Sequence, residues 1–175
     1  ESGSTGEFSS GLDPFGGVGR AVVTFNAGST AHFLSAPAFF GEGASYGNLI
    51  LDGETQSYFL AGSNQTTILN NFTLTTGNRF VLSSTPGADM NLFGNFDDET
   101  IISAGFQANG CTMKFQGATQ TIFNAGNLGT FSDISIAQVP GGKVQLLSPT
   151  RITGQLNLTN ADSLLELNGH SLELD

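Results

Sequence analysis

Tryptophan is absent from this chain, cysteine occurs once, and lysine plus arginine number five against fifteen aspartate and glutamate residues. Each shortage removes a class of explanation. The five cations, Arg20, Arg79, Lys114, Lys143 and Arg151, are scattered along a chain of net charge −10. No basic patch is available to neutralise phosphates, and nucleic acid is not an expected partner. A lone Cys111 permits no intrachain disulfide and no cysteine metal cage, so it is expected as a buried small hydrophobe. No apolar run reaches the roughly 18 residues of a membrane-spanning helix. The opening ESGSTGEFSSGLDP has neither the basic nor the hydrophobic segment of a signal peptide.

What remains is an alphabet for turns and strands. Among 175 residues there are 24 glycines and 15 phenylalanines, with Asn, Ser and Thr as filler, and only 11% of residues are charged. Gly and Asn suit tight turns, Thr and Phe suit strands, and the helix formers Lys, Glu and Arg are scarce. A hydrophobic fraction of 38% is enough to fill one core. Low lysine, one cysteine and abundant Ser, Thr and Asn fit an exported bacterial protein.

Short apolar segments recur at a steady interval. One series comprises VVTF at 22–25, NLIL at 48–51, FTLT at 72–75, NLFG at 91–94, TMKF at 112–115, DISI at 133–136 and LNLT at 156–159. A second runs HFLS at 32–35, YFLA at 58–61, FVLS at 80–83, IISA at 101–104, TIFN at 121–124, VQLL at 144–147 and LLEL at 164–167. Both step by about 22 residues. A longer echo overlies them: Phe25 and Phe33 anticipate Phe115 and Phe123, YGNLIL at 46–51 anticipates FSDISI at 131–136, and TILNNFTLT at 67–75 anticipates RITGQLNLT at 151–159. This suggests a superunit four coils long.

A period of 20 to 25 residues with two or three short strands, Gly and Asn at corners and no helix predicts a β-solenoid. One such coil cannot bury its own apolar side, so stacked coils must share a core. The expected fold is all-β, a right-handed parallel β-helix of about seven coils; a β-sandwich or jelly roll is the rival. Alternation points Phe25, Leu49, Leu51, Phe72, Leu74, Leu92, Phe115, Ile134, Ile136, Leu156 and Leu158 inward, with Thr24, Thr73, Lys114, Asp133 and Asn157 outward. Residues 1–20, glycine-rich and without alternation, are expected as a linker or cap, and 21–175 as the solenoid. The chain stops in mid-pattern at LNGHSLELD, so continuation in a longer parent protein is expected.

The segments Phe115 to Phe123, Phe131 to Ile136, Val144 to Leu146, Ile152 to Leu158 and Leu165 to Leu174 carry the pattern I-x-G-x-L-x-L … L-x-L-N-G-x-x-L-x-L and its variants. In this they resemble repetitive regions of large Bacteroidota surface proteins, many exported by type IX secretion. The resemblance is clearest over 113–175. It implies a cell-surface or secreted β-helix in structural or adhesive use, facing glycans, outer-membrane components or other domains of its parent.

Candidate chemistry is sparse. Asp97, Asp98 and Glu99, with Asp89 nearby, offer oxygen ligands for Ca²⁺ or a carboxylate pair for glycoside cleavage; the same stretch also reads as a solvated turn. Arg79 and Lys114 lie about one coil away, the bases a polysaccharide lyase would need. Phe39, Phe40 and Tyr46, with Tyr58, offer a sugar-stacking platform or simply close the end of a coil. Ser163 in DSL resembles a Bacteroidota O-glycosylation acceptor. His32 and His170 are isolated, and no G-x-S-x-G elbow supports a serine nucleophile. The expected function is a stiff non-catalytic surface module, with a carbohydrate-active β-helix as the alternative.

Overall fold

A computed structural model describes residues 3–9, 24–36, 43–60, 62–101, 105–126 and 129–175. Within them lie twenty strands and no helix. In chain order they are β1 (Thr5–Phe8), β2 (Thr30–Phe33), β3 (Ser45–Tyr46), β4 (Asn48–Leu51), β5 (Ser57–Phe59), β6 (Thr66–Ile68), β7 (Phe72–Leu74), β8 (Arg79–Val81), β9 (Met90–Leu92) and β10 (Phe96–Asp98). There follow β11 (Phe106–Gln107), β12 (Thr112–Phe115), β13 (Thr119–Asn124), β14 (Gly129–Phe131), β15 (Asp133–Ile136), β16 (Lys143–Leu146), β17 (Thr150–Ile152), β18 (Leu156–Leu158), β19 (Leu165–Glu166) and β20 (Leu172–Leu174).

The chain winds through three sheets in rotation. The first has eight strands (β1-β2-β4-β7-β10-β13-β16-β19), the second six (β5-β8-β11-β14-β17-β20) and the third six (β3-β6-β9-β12-β15-β18). Pairing between these strands is parallel throughout, which rules out the antiparallel sandwich. The result is a β-solenoid of about 6 turns with a period of about 23 residues, one turn fewer and one residue longer than the sequence spacing suggested. The stretch expected as a linker or cap contains β1, which pairs with β2 from Thr5↔Thr30 to Phe8↔Phe33, so the first sheet begins there.

Alternation along each strand fills the core. Leu49, Leu51, Phe72, Leu74, Leu92, Phe115 and Ile136 are fully buried, as the period-two pattern required. Leu158 occupies the same inward column but is 52% exposed, because no later strand covers it. Two aromatic groups anchor the interior. Near the start, Phe8 stacks on Phe33 at 4.7 Å and Phe25 on Tyr46 at 5.4 Å. In the middle, Phe96 contacts Phe72, Phe106 and Phe131 at 5.3, 5.0 and 5.2 Å.

The corner from third to first sheet explains much of the Gly and Asn content. A Cβ on Gly47 would collide with the carbonyl oxygens of Ser29 and Asn26, and one on Gly94 with the carbonyl of Asn70. Only glycine lets successive coils stack this closely. Beside these glycines the amide N–H of Asn71 donates to Asn48 Oδ1 at 3.3 Å, that of Asn95 to Asn71 Oδ1 at 2.9 Å and that of Thr121 to Asn95 Oδ1 at 3.0 Å. Asparagine serves here because its side-chain oxygen extends the backbone ladder past the strand start.

The register also sorts the sequence echoes. Phe25, one residue after the Thr24↔Ser45 bridge, begins a column that runs through Tyr46, Ile68 and Leu92 to Phe115, so that pair is equivalent across four coils. Phe33 and Phe123 are not equivalent: Phe33 points inward in β2, whereas Phe123 sits in register with Asp97 on the outer face. The other two echoes, YGNLIL with FSDISI and TILNNFTLT with RITGQLNLT, join different corners. YGNLIL bridges the third and first sheets through β3 and β4, while FSDISI bridges the second and third through β14 and β15.

Candidate functional site

The acidic stretch is a strand and not a solvated turn. Phe96 and Asp98 of β10 fall in register with Phe72 and Leu74 of β7, so the ladder turns Asp98 inward and Asp97 outward. Asp98 is 4% exposed. Its Oδ1 accepts the amide N–H of Thr100 at 3.0 Å and the Thr100 hydroxyl at 2.6 Å; the backbone of Phe106 donates to the same carboxylate. Burial pushes the Asp98 carboxyl above the usual carboxylate range, with these hydrogen bonds opposing it. Asp97 is raised too, first by burial and then by the charge of Asp98.

Asp89 belongs elsewhere. It precedes β9 in the third sheet, pairs with Lys114 Nζ at 2.7 Å and accepts the amide N–H of Thr112 at 3.0 Å. Asp89, Asp97, Asp98 and Glu99 are therefore not gathered into one ligand set. Among the described residues, no three His, Cys, Asp or Glu side chains are grouped to hold a metal ion. Lys114 is engaged by Asp89, and an Arg79 Nη donates to Gln107 Oε1 at 2.6 Å.

The aromatic platform needs correction. Tyr46 is fully buried, because its place in β3 puts its ring inward against Phe25. Tyr58 is buried as well; its hydroxyl donates to the Phe33 carbonyl at 2.8 Å and burial pushes its pKa up. Phe39 and Phe40 lie outside the described residues. Ser163 is partly buried and its hydroxyl donates to the Ile136 carbonyl at 2.9 Å. That is the corner-capping role Gln120 plays two coils earlier, where Nε2 donates to the Leu92 carbonyl at 2.9 Å. Cys111 is buried as expected; its thiol donates to the Ser83 carbonyl at 2.8 Å, and burial and then the charge of Asp89 push it up.

Two arrangements escaped the sequence reading. On the outer face of the first sheet, His32 Nε2 lies 3.0 Å from Asp52 Oδ2 and Nδ1 lies 3.7 Å from Glu7 Oε1, while the Thr75 hydroxyl donates to Asp52 Oδ1 at 2.7 Å. The Thr75 bond and then His32 hold the Asp52 carboxyl below its usual value. This cross-coil clamp cannot work as a catalytic triad, since the Thr75 hydroxyl is bound to the carboxylate and not to the imidazole.

The second arrangement is inside. The inward column of the first sheet reads Phe8, Phe33, Leu51 and Leu74, then changes to Asp98, Asn124 and, next after β16, Ser148. Asn124 and Ser148 are 5% and 6% exposed. Ser148 Oγ accepts the Asn124 amide N–H at 2.7 Å. Counting back by the coil period from Asn124 to the apolar Leu74 would have flagged a buried amide. No family model matches this chain, and neither curated proteins nor solved structures yield a match.

Proposed function

We propose that this chain is a structural module, a stiff β-solenoid that spaces or presents other parts of an extracellular protein and carries no catalytic machinery. One observation carries the reading: the polar side chains at its corners and in the Asp89 cluster are committed to bonds between coils. Asn48, Asn71 and Asn95 extend the backbone ladder, Asp89 binds Lys114 and the Thr112 amide, and Asp133 Oδ1 accepts the Gln155 amide at 2.7 Å. A site for substrate needs groups free to meet it, and these are bound to the next coil. Function then lies in shape and in the outward faces. The likeness of residues 113–175 to repetitive Bacteroidota surface proteins supports placement outside the cell.

Glycan-array binding with and without Ca²⁺ tests this. The expected outcome is no retained glycan in either condition. Retention that depends on Ca²⁺ and is lost in Asp97→Asn would replace the scaffold reading by a carbohydrate-active one.

A further inference from the structure

The amide of Asn124 is the most demanding group in the interior. It is 5% exposed, and both Nδ2 and Oδ1 are buried without a hydrogen-bond partner in the protein. Its neighbours in the column are polar on both sides. Asp98 stands one coil before it in direct register and Ser148 one coil after. Neither neighbour makes a direct hydrogen bond to the Asn124 side-chain amide.

We propose that Asp98, Asn124 and Ser148 enclose a buried hydration site, in which ordered water bridges three successive coils. The chemistry of the donors and acceptors selects water. Asn124 presents a donor and an acceptor together, so its guest must accept from Nδ2–H and donate to Oδ1. Ser148 Oγ already accepts the Asn124 backbone N–H, which leaves its own proton to donate. The Asp98 carboxylate, bound by Thr100 and by the Phe106 backbone, has a lone pair left to accept. A water with two to four polar partners is the ordinary occupant of such a site. A cation would satisfy Asn124 Oδ1 and Asp98, but it would face the Nδ2–H protons with the same sign of charge.

The test is water-resolved NOE and ROE spectroscopy on the full ¹⁵N-labelled chain, read at the Asn124 side-chain amide. The expected result is a water cross-peak with NOE and ROE of opposite sign, the mark of a long-lived internal water, and its loss in Ser148→Val, which keeps the Asn124 amide as the probe and removes one of the water's partners. Absence of that cross-peak in the unaltered chain overturns the proposal, whatever the variant does. So does displacement of the cross-peak on titration with Ca²⁺ or K⁺, which would assign the site to a cation, and so does its persistence at full intensity in Ser148→Val.

Discussion

The inward column of the first sheet holds Phe8, Phe33, Leu51 and Leu74 in its early coils and Asp98, Asn124 and Ser148 in its later ones, on the same backbone and in the same register. Early coils close by packing side chains against each other; later coils close by hydrogen bonds from Thr100 and the Phe106 backbone to Asp98 and from the Asn124 backbone to Ser148. A parallel ladder therefore dictates where a residue stands without dictating its chemistry. Polar residues survive inside when their bonds are met.

The largest way to break the comparison is to empty the apolar part. Phe96→Ala removes a ring in contact with Phe72, Phe106 and Phe131, and should cost about 3–5 kcal/mol by chemical denaturation. Exchanging residues between the two regions comes next. Leu51→Asn puts an amide between Phe33 and Leu74, where nothing polar awaits it, and should cost about 2–4 kcal/mol. The reverse exchange, Asn124→Leu, sets an apolar side chain between Asp98 and Ser148 in place of an amide with no partner in the protein and should shift stability by under about 1.5 kcal/mol. Equal costs for the two exchanges would show that the regions do not differ.

On the outside, Asn71→Ala breaks one rung of the corner ladder, freeing the Asn95 amide, and should cost about 0.5–1.5 kcal/mol, read as faster hydrogen exchange at Asn95. The smallest effect is the pH slope. Asp97 and Asp98 have carboxyls raised in the folded state, so the fold binds their protons more tightly than the unfolded chain does. Their contribution is full at low pH and is lost as pH rises above about 4 through the folded values. Asp52 is lowered, so its contribution is present above about 4 and is lost as pH falls. Asp97→Thr, which copies Thr73 of the coil before, should flatten the decline on the alkaline side and leave the acid limb set by Asp52. An unchanged slope in Asp97→Thr would remove Asp97 from the account.

Much of the fold was legible in the residues, and particular ones show why. Phe72, Leu74 and Phe115 alternate with polar neighbours, and with Leu49 and Leu51 they recur at the coil period, which is enough to place them inside. The two apolar series were not two sheets. NLIL and FTLT lie in the first sheet, yet NLFG, TMKF and DISI lie in the third. From β3 onward each coil has three strands, and the overlooked ones, such as FDD of β10, FQ of β11 and GTF of β14, are too short or polar to stand out. The candidate site was harder to read. Asp97 and Asp98 look like a solvated pair by composition, and Tyr46 sits in a segment with loop character; only register with Leu74 and Ile68 sends Asp98 and Tyr46 inward.

The order of residues alone settled that coils must stack, because segments of this length, apolar on alternate positions, cannot shelter their own apolar side. It also settled the approximate period and most of the core. Which of three faces each segment joins, and so which polar side chains meet, was decided only in three dimensions. The three faces are nearly alike locally, and corner lengths accumulate along the chain, so a shift of a few residues moves a segment to another sheet while leaving its own pattern unchanged.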